Sequence, residues 1–532
     1  MARRSVSDLL AHLLRHPKHR GSVSAGEISV RFSGDGRQVT RNNRIGAVMG
    51  TLRIVPNRNT INKETESAQL HHTIDEEASI FVYEGGEDHE VQRETAGMVY
   101  KEIEDIRKNG LVIDGKTVKV KWYLTADWKF LATLLGLNQA SSKSFCLWCH
   151  CKKEEICDFD KPSWNIQRKP GDHNRFLGQR EHKGHVLPPL VDFNFDEIVP
   201  DVLHMGMRIR GKLFNQVVVW AINQRRTKEL VAAMKDTGVP FRLMEGTGDD
   251  GKGSIRTWTQ LNAKQLERVF EKLDLNAVLT DRWSPAGLTV ASLTVAQLKV
   301  ELQKRGLETA GRKDALVKRL SEFLHSDQLP LPEEDQANHP ILIIGNIIKL
   351  WKDFEELAVA MKAEPGAAGH LAPSMFQQKA REWGKLFRRV TFDEHVTPYI
   401  HAMVYHVPQF LRRYKFINDL SCESVEQKNH TQNRRFHHGS QRSGRGSKWT
   451  VQVMEYENRD LFAVLNNLDR KKAMMGPNSA QRRANLQGLS DIMISRQRGK
   501  MISRQRRRKL YRKGRMDMKR RKFSRRMMTR IA

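Results

Sequence analysis

The chain has 532 residues, a formal net charge of +30 and 39% hydrophobic residues. At roughly 150 residues per domain, this length predicts about three domains or one large domain with insertions. Such a surplus of cations favours a polyanionic partner, with nucleic acid ahead of an anionic membrane surface. No apolar run approaches the ~20 residues of a spanning helix, so we expect no membrane partner.

The N-terminal quarter of the chain predicts an α/β unit. Apolar residues alternate with polar ones in 26–35, which predicts a half-buried strand with Asp35 at its tip. An acidic, periodic stretch at 90–108 predicts a helix, and residues 118–124 predict a further strand that leads to Asp127. This order of strand, helix and a further strand that leads to an aspartate is typical of an α/β fold. Two strand-end aspartates make a workable metal site, because strands fix the oxygen positions.

The middle of the chain is far too long to be a loop, so inserted domains are expected. The predicted divisions are, in chain order, a basic N-terminal segment (1–25), the first part of the core (26–145), a zinc-linked insertion (146–287), a small helical module (288–326), a helical insertion (327–398), the closing part of the core (399–438), and a helical and basic tail (439–532).

Metal-type residues occur as two short pairs, Cys146 with Cys149 and His401 with His406. Two cysteines and two histidines can complete one tetrahedral zinc site. The cysteine pair begins 19 residues after Asp127, and the histidine pair ends 20 residues before Glu426. A shared zinc ion would therefore hold these two carboxylates near one another.

A local zinc site is the alternative. Its further ligands would be His150, Cys151 and Cys157. Spacing alone leaves the local and the long-range site open. Four of the five cysteines lie between Cys146 and Cys157, which opposes a disulfide framework and favours a reduced, intracellular, metal-binding protein.

Three acidic residues are candidates for a site that binds divalent cations. Taken singly, Asp35 is typical of a turn, Asp127 of a helix N-cap and Glu426 of an exposed helix face. Taken together, two strand-end aspartates and one helical glutamate meet the need of two-metal phosphodiester cleavage.

The order of these motifs resembles the DDE-type catalytic core of the V(D)J recombinase and Transib-like transposases. The matching features are the Asp35-Gly36 pair, the offset from Asp127 to the cysteine pair, the His-x4-His-Val-Pro segment, Asp201-x-Leu-His204 and the Glu426 helix. The match runs from about residue 29 to 436, without 288–324. Only 34 residues precede Asp35, so the N-terminal DNA-binding regions of those recombinases are expected to be missing. Three explanations for this expected absence stay open: a fragment, an incomplete gene product and a domesticated remnant.

The resemblance implies an RNase H-like core with a large, mostly helical, zinc-containing insertion. It implies that Asp35, Asp127 and Glu426 are catalytic and hold two Mg²⁺ or Mn²⁺ ions, and it favours Glu426 over Glu423. It further implies a structural zinc ion at the long-range site, Cys146, Cys149, His401 and His406. The implied activity is DNA strand cleavage and strand transfer, and the family also suggests a homodimer.

Residues 288–324 read as two short helices with a turn between them. Their basic residues are Lys304, Arg305, Arg312, Lys313, Lys318 and Arg319. A helical hairpin with solvated charges would explain them. However, the pattern from Leu298 to Leu320 resembles the SAP motif, a DNA-binding module of chromatin-associated proteins, which the recombinase core lacks.

The C-terminal tail carries 18 Lys and Arg residues and one acid between Arg496 and Arg530. Such a tail gives salt-sensitive, sequence-independent affinity for DNA. Its clusters, among them Arg506, Arg507, Arg508 and Lys509, are also typical of nuclear-localisation signals. The sequence thus predicts a nuclear DNA-binding protein that is either a DDE recombinase or its catalytically inactive, domesticated descendant.

Overall fold

The computed structural model describes residues 1–16, 19, 23–24, 26–40, 45–55, 76–247, 254–279, 290, 293–304, 307–326, 344–390, 396–414, 417–440 and 449–466. The chain divides into two compact units, Met1–Asn458 and Arg459–Ala532. Arg305 and the tail cluster at 506–509 lie outside the described residues.

A twisted, mixed sheet forms the centre of the first unit. Its strands are β1 (Ala2–Arg3), β2 (Glu27–Gln38), β3 (Gly46–Val55), β4 (Ala78–Glu84), β5 (Leu111–Ile113) and β6 (Lys116–Leu124). Their order across the sheet is β1-β4-β3-β2-β6-β5. β2, β3 and β4 are antiparallel neighbours, whereas β6 runs parallel to β2. The predicted mixed α/β class is confirmed.

Asp35 does not lie at the tip of its strand, contrary to the sequence prediction. β2 continues to Gln38 because β3 pairs with it over the whole length, with Asp35 opposite Met49. The parallel pairing with β6 stops earlier, at Phe32 and Leu124. Asp35 therefore lies beyond the carboxyl end of the parallel pair, at the edge where β6 also ends.

Helices cover both faces of the sheet. The early helices are α1 (Val6–Leu14), α2 (His89–Asn109) and α3 (Trp128–Leu134). In α2, Tyr100 packs edge-on against Phe32 of β2, with ring centroids 6.2 Å apart. On the opposite face, Val425 and Phe436 of a later helix pack with Met49 of β3 in one buried cluster.

The part of the chain between α3 and residue 390 is mostly helical. Its elements are α4 (Asp172–Phe176), α5 (Val202–Asn223), α6 (Thr227–Asp236), a hairpin of β7 (Leu243–Thr247) and β8 (Ser254–Trp258), α7 (Ala263–Lys272), α8 (Leu275–Val278), α9 (Val295–Lys304), α10 (Lys313–Ser326), α11 (Ile344–Lys362) and α12 (Pro373–Val390). Stacked aromatic rings join α7 to α11, with Phe270 and Trp351 3.8 Å apart between centroids.

The last described elements return the chain to the sheet. They are α13 (Pro398–His401), a π-helical turn (Ala402–His406), α14 (Val407–Tyr414), a short 3-10 turn (Asn418–Leu420), α15 (Glu423–Gly439) and α16 (Trp449–Leu465). In the second unit, the structure describes only residues 459–466, which include the end of α16. None of the described helices has both the length and the apolar character that crossing a membrane requires.

Candidate metal centres

The four residues of the predicted long-range zinc site meet in a buried cluster. Each offers one ligand atom, and these atoms all lie within 4.8 Å of one another. Nε2 of His406 is 3.2 Å from Sγ of Cys146, and Nε2 of His401 is 3.3 Å from Sγ of Cys149. Ligand bonds of roughly 2.3 Å to sulfur and 2.05 Å to nitrogen give a tetrahedral edge of about 3.6 Å. The donor types and spacings therefore fit zinc.

Local backbone structure prepares both pairs for an ion. The amides of Trp148 and Cys149 each donate to Sγ of Cys146 at 3.4 Å, which favours a thiolate there. Residues five apart would lie about 140° apart around a regular α-helix. The π-helical turn from Ala402 to His406 widens the coil, so that His401 and His406 both reach the cysteines.

The alternative local site does not form in the described part of the chain. Cys157 is only partly buried, and no metal-binding group contains it. Cys151 instead donates its backbone amide to Sγ of Cys149 at 3.4 Å. The buried Cys/His cluster thus brings the segment that follows α3 together with the segment that precedes α15.

β2 directs alternate side chains to α15. Because strand side chains alternate between faces, Arg31, Ser33, Asp35 and Arg37 share one face. Arg31 donates to Ser421 and Ser424, and the Ser33 hydroxyl lies 3.6 Å from Sγ of Cys422. The Asn429 amide donates to the Asp35 carboxylate. The strand period therefore places Asp35 against the helix that carries Glu426.

Asp35 lies close enough to Asp127 and to Glu426 for both charges to act on its carboxylate. Burial raises the pKa of Asp35 to about 7, and the charges of Glu426 and Asp127 add to the increase. Asp127 precedes α3 and accepts the Phe130 amide at 2.7 Å, so it is an N-cap as well as a member of the cluster. Carboxylates held together in this way attract divalent cations.

His204 connects Glu426 to a buried aspartate. Its Nε2 lies 3.3 Å from Oε1 of Glu426, and its Nδ1 lies 2.5 Å from Oδ2 of Asp201. The backbone amide of Cys422 also donates to Asp201, at 2.9 Å. Burial opposes a charged imidazole, but the hydrogen bond to Asp201 raises the pKa of His204 well above its usual value. In the sequence, Asp201 and His204 were only part of the family resemblance, and no role was predicted for them.

Glu87 is a fourth carboxylate near the cluster, and sequence reasoning missed it. Its side chain is 5% exposed and pairs with Lys129 at 3.0 Å. A Cβ at position 36 would meet its Oε2 at 2.4 Å, so Gly36 leaves room for it. Burial raises the pKa of Glu87, and Asp127 adds to the increase. Glu87 belongs to no motif, and its position 40 residues before Asp127 gives no sequence signal.

A buried polar network fixes α15 on the sheet. Arg31 and Glu77 form an ion pair in which both side chains are fully buried. Ser424 donates to Glu77 at 2.7 Å, and Gln432 donates to Glu457 at 2.6 Å. Ser424 and Gln432 lie eight residues apart on one face of α15. The network leaves little freedom for the helix to slide, and so fixes the position of Glu426.

The small module of α9 and α10 has a buried apolar seam and an exposed basic surface. Leu298, Leu302, Leu316 and Leu320 are fully buried between its helices. Among the predicted DNA-binding residues, Arg312, Lys313 and Lys318 are exposed, and Lys304 is the last residue of α9. Arg319 is partly buried and donates to the carbonyl oxygens of Glu308 and Ala310, at 2.7 and 3.0 Å. Arg319 therefore already stabilises the turn between the helices.

Comparison with known families identifies this module. Residues 289–325 match the SAP domain. The predicted SAP motif is thereby confirmed, and it indicates that the chain binds DNA, since SAP domains are typical of nuclear DNA-binding proteins. No curated protein matches the chain. The resemblance of the remaining core to recombinases stays a prediction.

Proposed function

We propose that the chain is a DNA-cleaving recombinase or transposase whose site is Asp35, Asp127 and Glu426. The observation that carries the proposal is that Asp35 lies against the helix of Glu426, where burial raises its pKa to about 7 and the charges of Glu426 and Asp127 add to the increase. Two Mg²⁺ or Mn²⁺ ions bound there would activate a water oxygen and stabilise the leaving 3′ oxygen of a DNA strand. The freed 3′-OH would then attack a second phosphodiester.

The sheet supports an RNase H-like core within this proposal. β2, β3 and β4 form an antiparallel run, α2 follows, and β6 then pairs in parallel with β2. Asp35 and Asp127 come from neighbouring parallel strands at the edge where the pairing ends. The rigid sheet would hold the two carboxylates at a fixed separation for the ions.

Glu426 is a better third ligand than Glu423. Glu423 faces the insertion, 3.9 Å from Nζ of Lys362. Glu426 contacts His204 and acts on the pKa of Asp35. His204 would orient the Glu426 carboxylate, because a hydrogen bond to one oxygen limits rotation of the group.

The SAP domain and the tail would hold DNA near the site. The exposed cations of the module and the many cations in the tail sequence would neutralise phosphates without reading sequence. A nuclear location and a homodimer are part of the proposal. Two copies would supply a site for each of two DNA ends.

A second candidate is a nuclear DNA-binding protein that has kept the acidic cluster without cutting DNA. The SAP match favours it, since that module and the basic tail suffice for DNA binding. Under this candidate the carboxylates and the zinc cluster would serve the fold alone.

Nicking of supercoiled plasmid DNA in Mg²⁺ or Mn²⁺ separates the two candidates. Asp127→Asn removes one ligand charge but keeps the helix cap, because asparagine caps as well as aspartate. Asp114→Asn is the matched control, since Asp114 lies in an exposed turn. We expect nicking by the native chain and the control, and loss of at least 100-fold in Asp127→Asn. Equal nicking by all three proteins would overturn the catalytic proposal, and absence of metal-dependent nicking would favour the second candidate.

A further inference from the structure

Arg208 lies in α5, the helix whose His204 contacts Glu426. It follows His204 by four residues in α5, and residues at that spacing lie on one face of a helix. Burial raises the pKa of Tyr399, and the charges of His204, Asp127 and Arg208 also act on that pKa. Tyr399 packs edge-on against Trp128, the residue after Asp127, with ring centroids 5.2 Å apart. Arg208 therefore lies one helical turn from His204, whose Nε2 is 3.3 Å from Oε1 of Glu426.

Arg208 also differs from the other cations around the cluster. Lys129 pairs with Glu87, and Arg37 donates to Asn433 and Gln432. Arg208 is exposed, and within the part of the chain that the structure describes it has neither a hydrogen bond nor an ion pair. An arginine that no protein group holds, beside several carboxylates, has its donors free for a ligand.

We infer that Arg208 binds a phosphate of the DNA strand, next to the phosphate that enters the acidic cluster. This rests on the proposed function. The carboxylates repel a DNA backbone that approaches them, and a cation at their border offsets the repulsion. A guanidinium suits this role because its planar set of donors matches two phosphate oxygens. Arg208 is thus a positioning residue for the substrate strand.

The salt dependence of DNA binding tests this contact without requiring cleavage. Duplex DNA would be titrated with the full chain at several KCl concentrations, in the native form and as Arg208→Gln, Arg208→Lys and Lys235→Gln. Lys235 is the matched control, an exposed cation of α6. Loss of one phosphate contact lowers the slope of log Kobs against log salt by about 0.9. We expect that loss in Arg208→Gln, and a native slope in Arg208→Lys and in the control.

Two results would overturn the inference: a native slope in Arg208→Gln, or an equal loss in Lys235→Gln. Thermal unfolding of each variant checks that the chain still folds, and an exposed side chain should change it little. Failure of the proposed function is a separate result. If the native chain nicks no DNA but Arg208→Gln still lowers the salt slope of DNA binding, the phosphate contact stands. Only the catalytic proposal is then contradicted.

Discussion

The imidazole of His204 lies 3.3 Å from the carboxylate of Glu426, Nε2 to Oε1. The other ring nitrogen faces a second carboxylate, that of Asp201, at 2.5 Å. A neutral imidazole donates from only one nitrogen, so two flanking carboxylates favour the doubly protonated ring. His204 therefore limits the movement of one Glu426 oxygen, and its loss should weaken metal binding at the proposed site.

We expect His204→Ala to weaken metal-dependent nicking by about 10–100-fold, the usual cost of losing a group that orients a metal ligand. A Mn²⁺ titration would show the activity midpoint moved to higher concentration, because Glu426 would be free to rotate. Zinc content should stay native. Asp201→Asn should move the midpoint in the same direction, since it removes the charge that holds His204. A native midpoint in both variants would contradict the orienting role.

Sequence periodicity predicted β2 and β6, but it placed the end of β2 too early and gave no prediction for β1, β4 or β5. Alternation at Ile28, Val30 and Phe32 predicted β2, because those side chains enter the core. It failed at Asp35, because the pairing of β2 with β3 continues through Gly34 and Gly36, which read as turn residues. Glycines there serve close packing: a Cβ at position 34 would meet Phe130 at 2.0 Å.

The metal-type residues could be recognised from the sequence, but spacing alone could not choose their partners; the family resemblance favoured the four residues that the structure brings together. Cys149 and His401 lie 252 residues apart, and spacing offered a local site as an equal alternative. Only the fold decides which residues meet. Glu87 could not be predicted from the sequence. It fits beside the carboxylates only because Gly36 of β2 has no side chain to occupy that space.

Zinc content gives a direct test of the Cys/His cluster. We expect His406→Ala to lose zinc from the purified chain, because three ligands hold the ion less tightly than four. The free energy of unfolding should fall with it, since the ion joins distant parts of the chain. Elemental analysis by mass spectrometry is the measurement. Cys157→Ser is the control and should keep native zinc; zinc loss there with retention in His406→Ala would favour the local site.

The raised pKa of Asp35 predicts a pH-dependent stability in buffers without divalent ions. The folded-state pKa of about 7 exceeds the ordinary value of 3.8. Between these values the folded state binds more protons than the unfolded state, so stability falls as pH rises toward 7. We expect Asp35→Asn to stabilise the chain by about 2 kcal/mol at pH 8, after allowance for partial exposure, and by little at pH 4.

Thermal unfolding at the two pH values measures this difference. Added Mg²⁺ should stabilise the native chain at pH 8 and leave Asp35→Asn unchanged, because the ion needs the charged carboxylate. If Asp35→Asn were less stable than the native chain at pH 8 without metal, the raised pKa of Asp35, and the cost of burying its charge, would be contradicted.

The ion pair beneath α15 gives a prediction about stability alone. Glu77→Gln would leave the fully buried Arg31 without its counter-charge, and losing one partner of a buried pair costs about 3–5 kcal/mol. Arg31 holds the pKa of Glu77 at about 2 despite the opposing effect of burial. The stabilisation is therefore present above the ordinary pKa of about 4.5 and is lost as pH falls through 2.

Glu76→Gln is the matched control: Glu76 pairs with Arg53 at 3.2 Å but is 29% exposed, so we expect a cost of about 1 kcal/mol or less. Urea unfolding at pH 7 would measure both variants, and equal costs would show that the buried pair does not anchor the helix of Glu426.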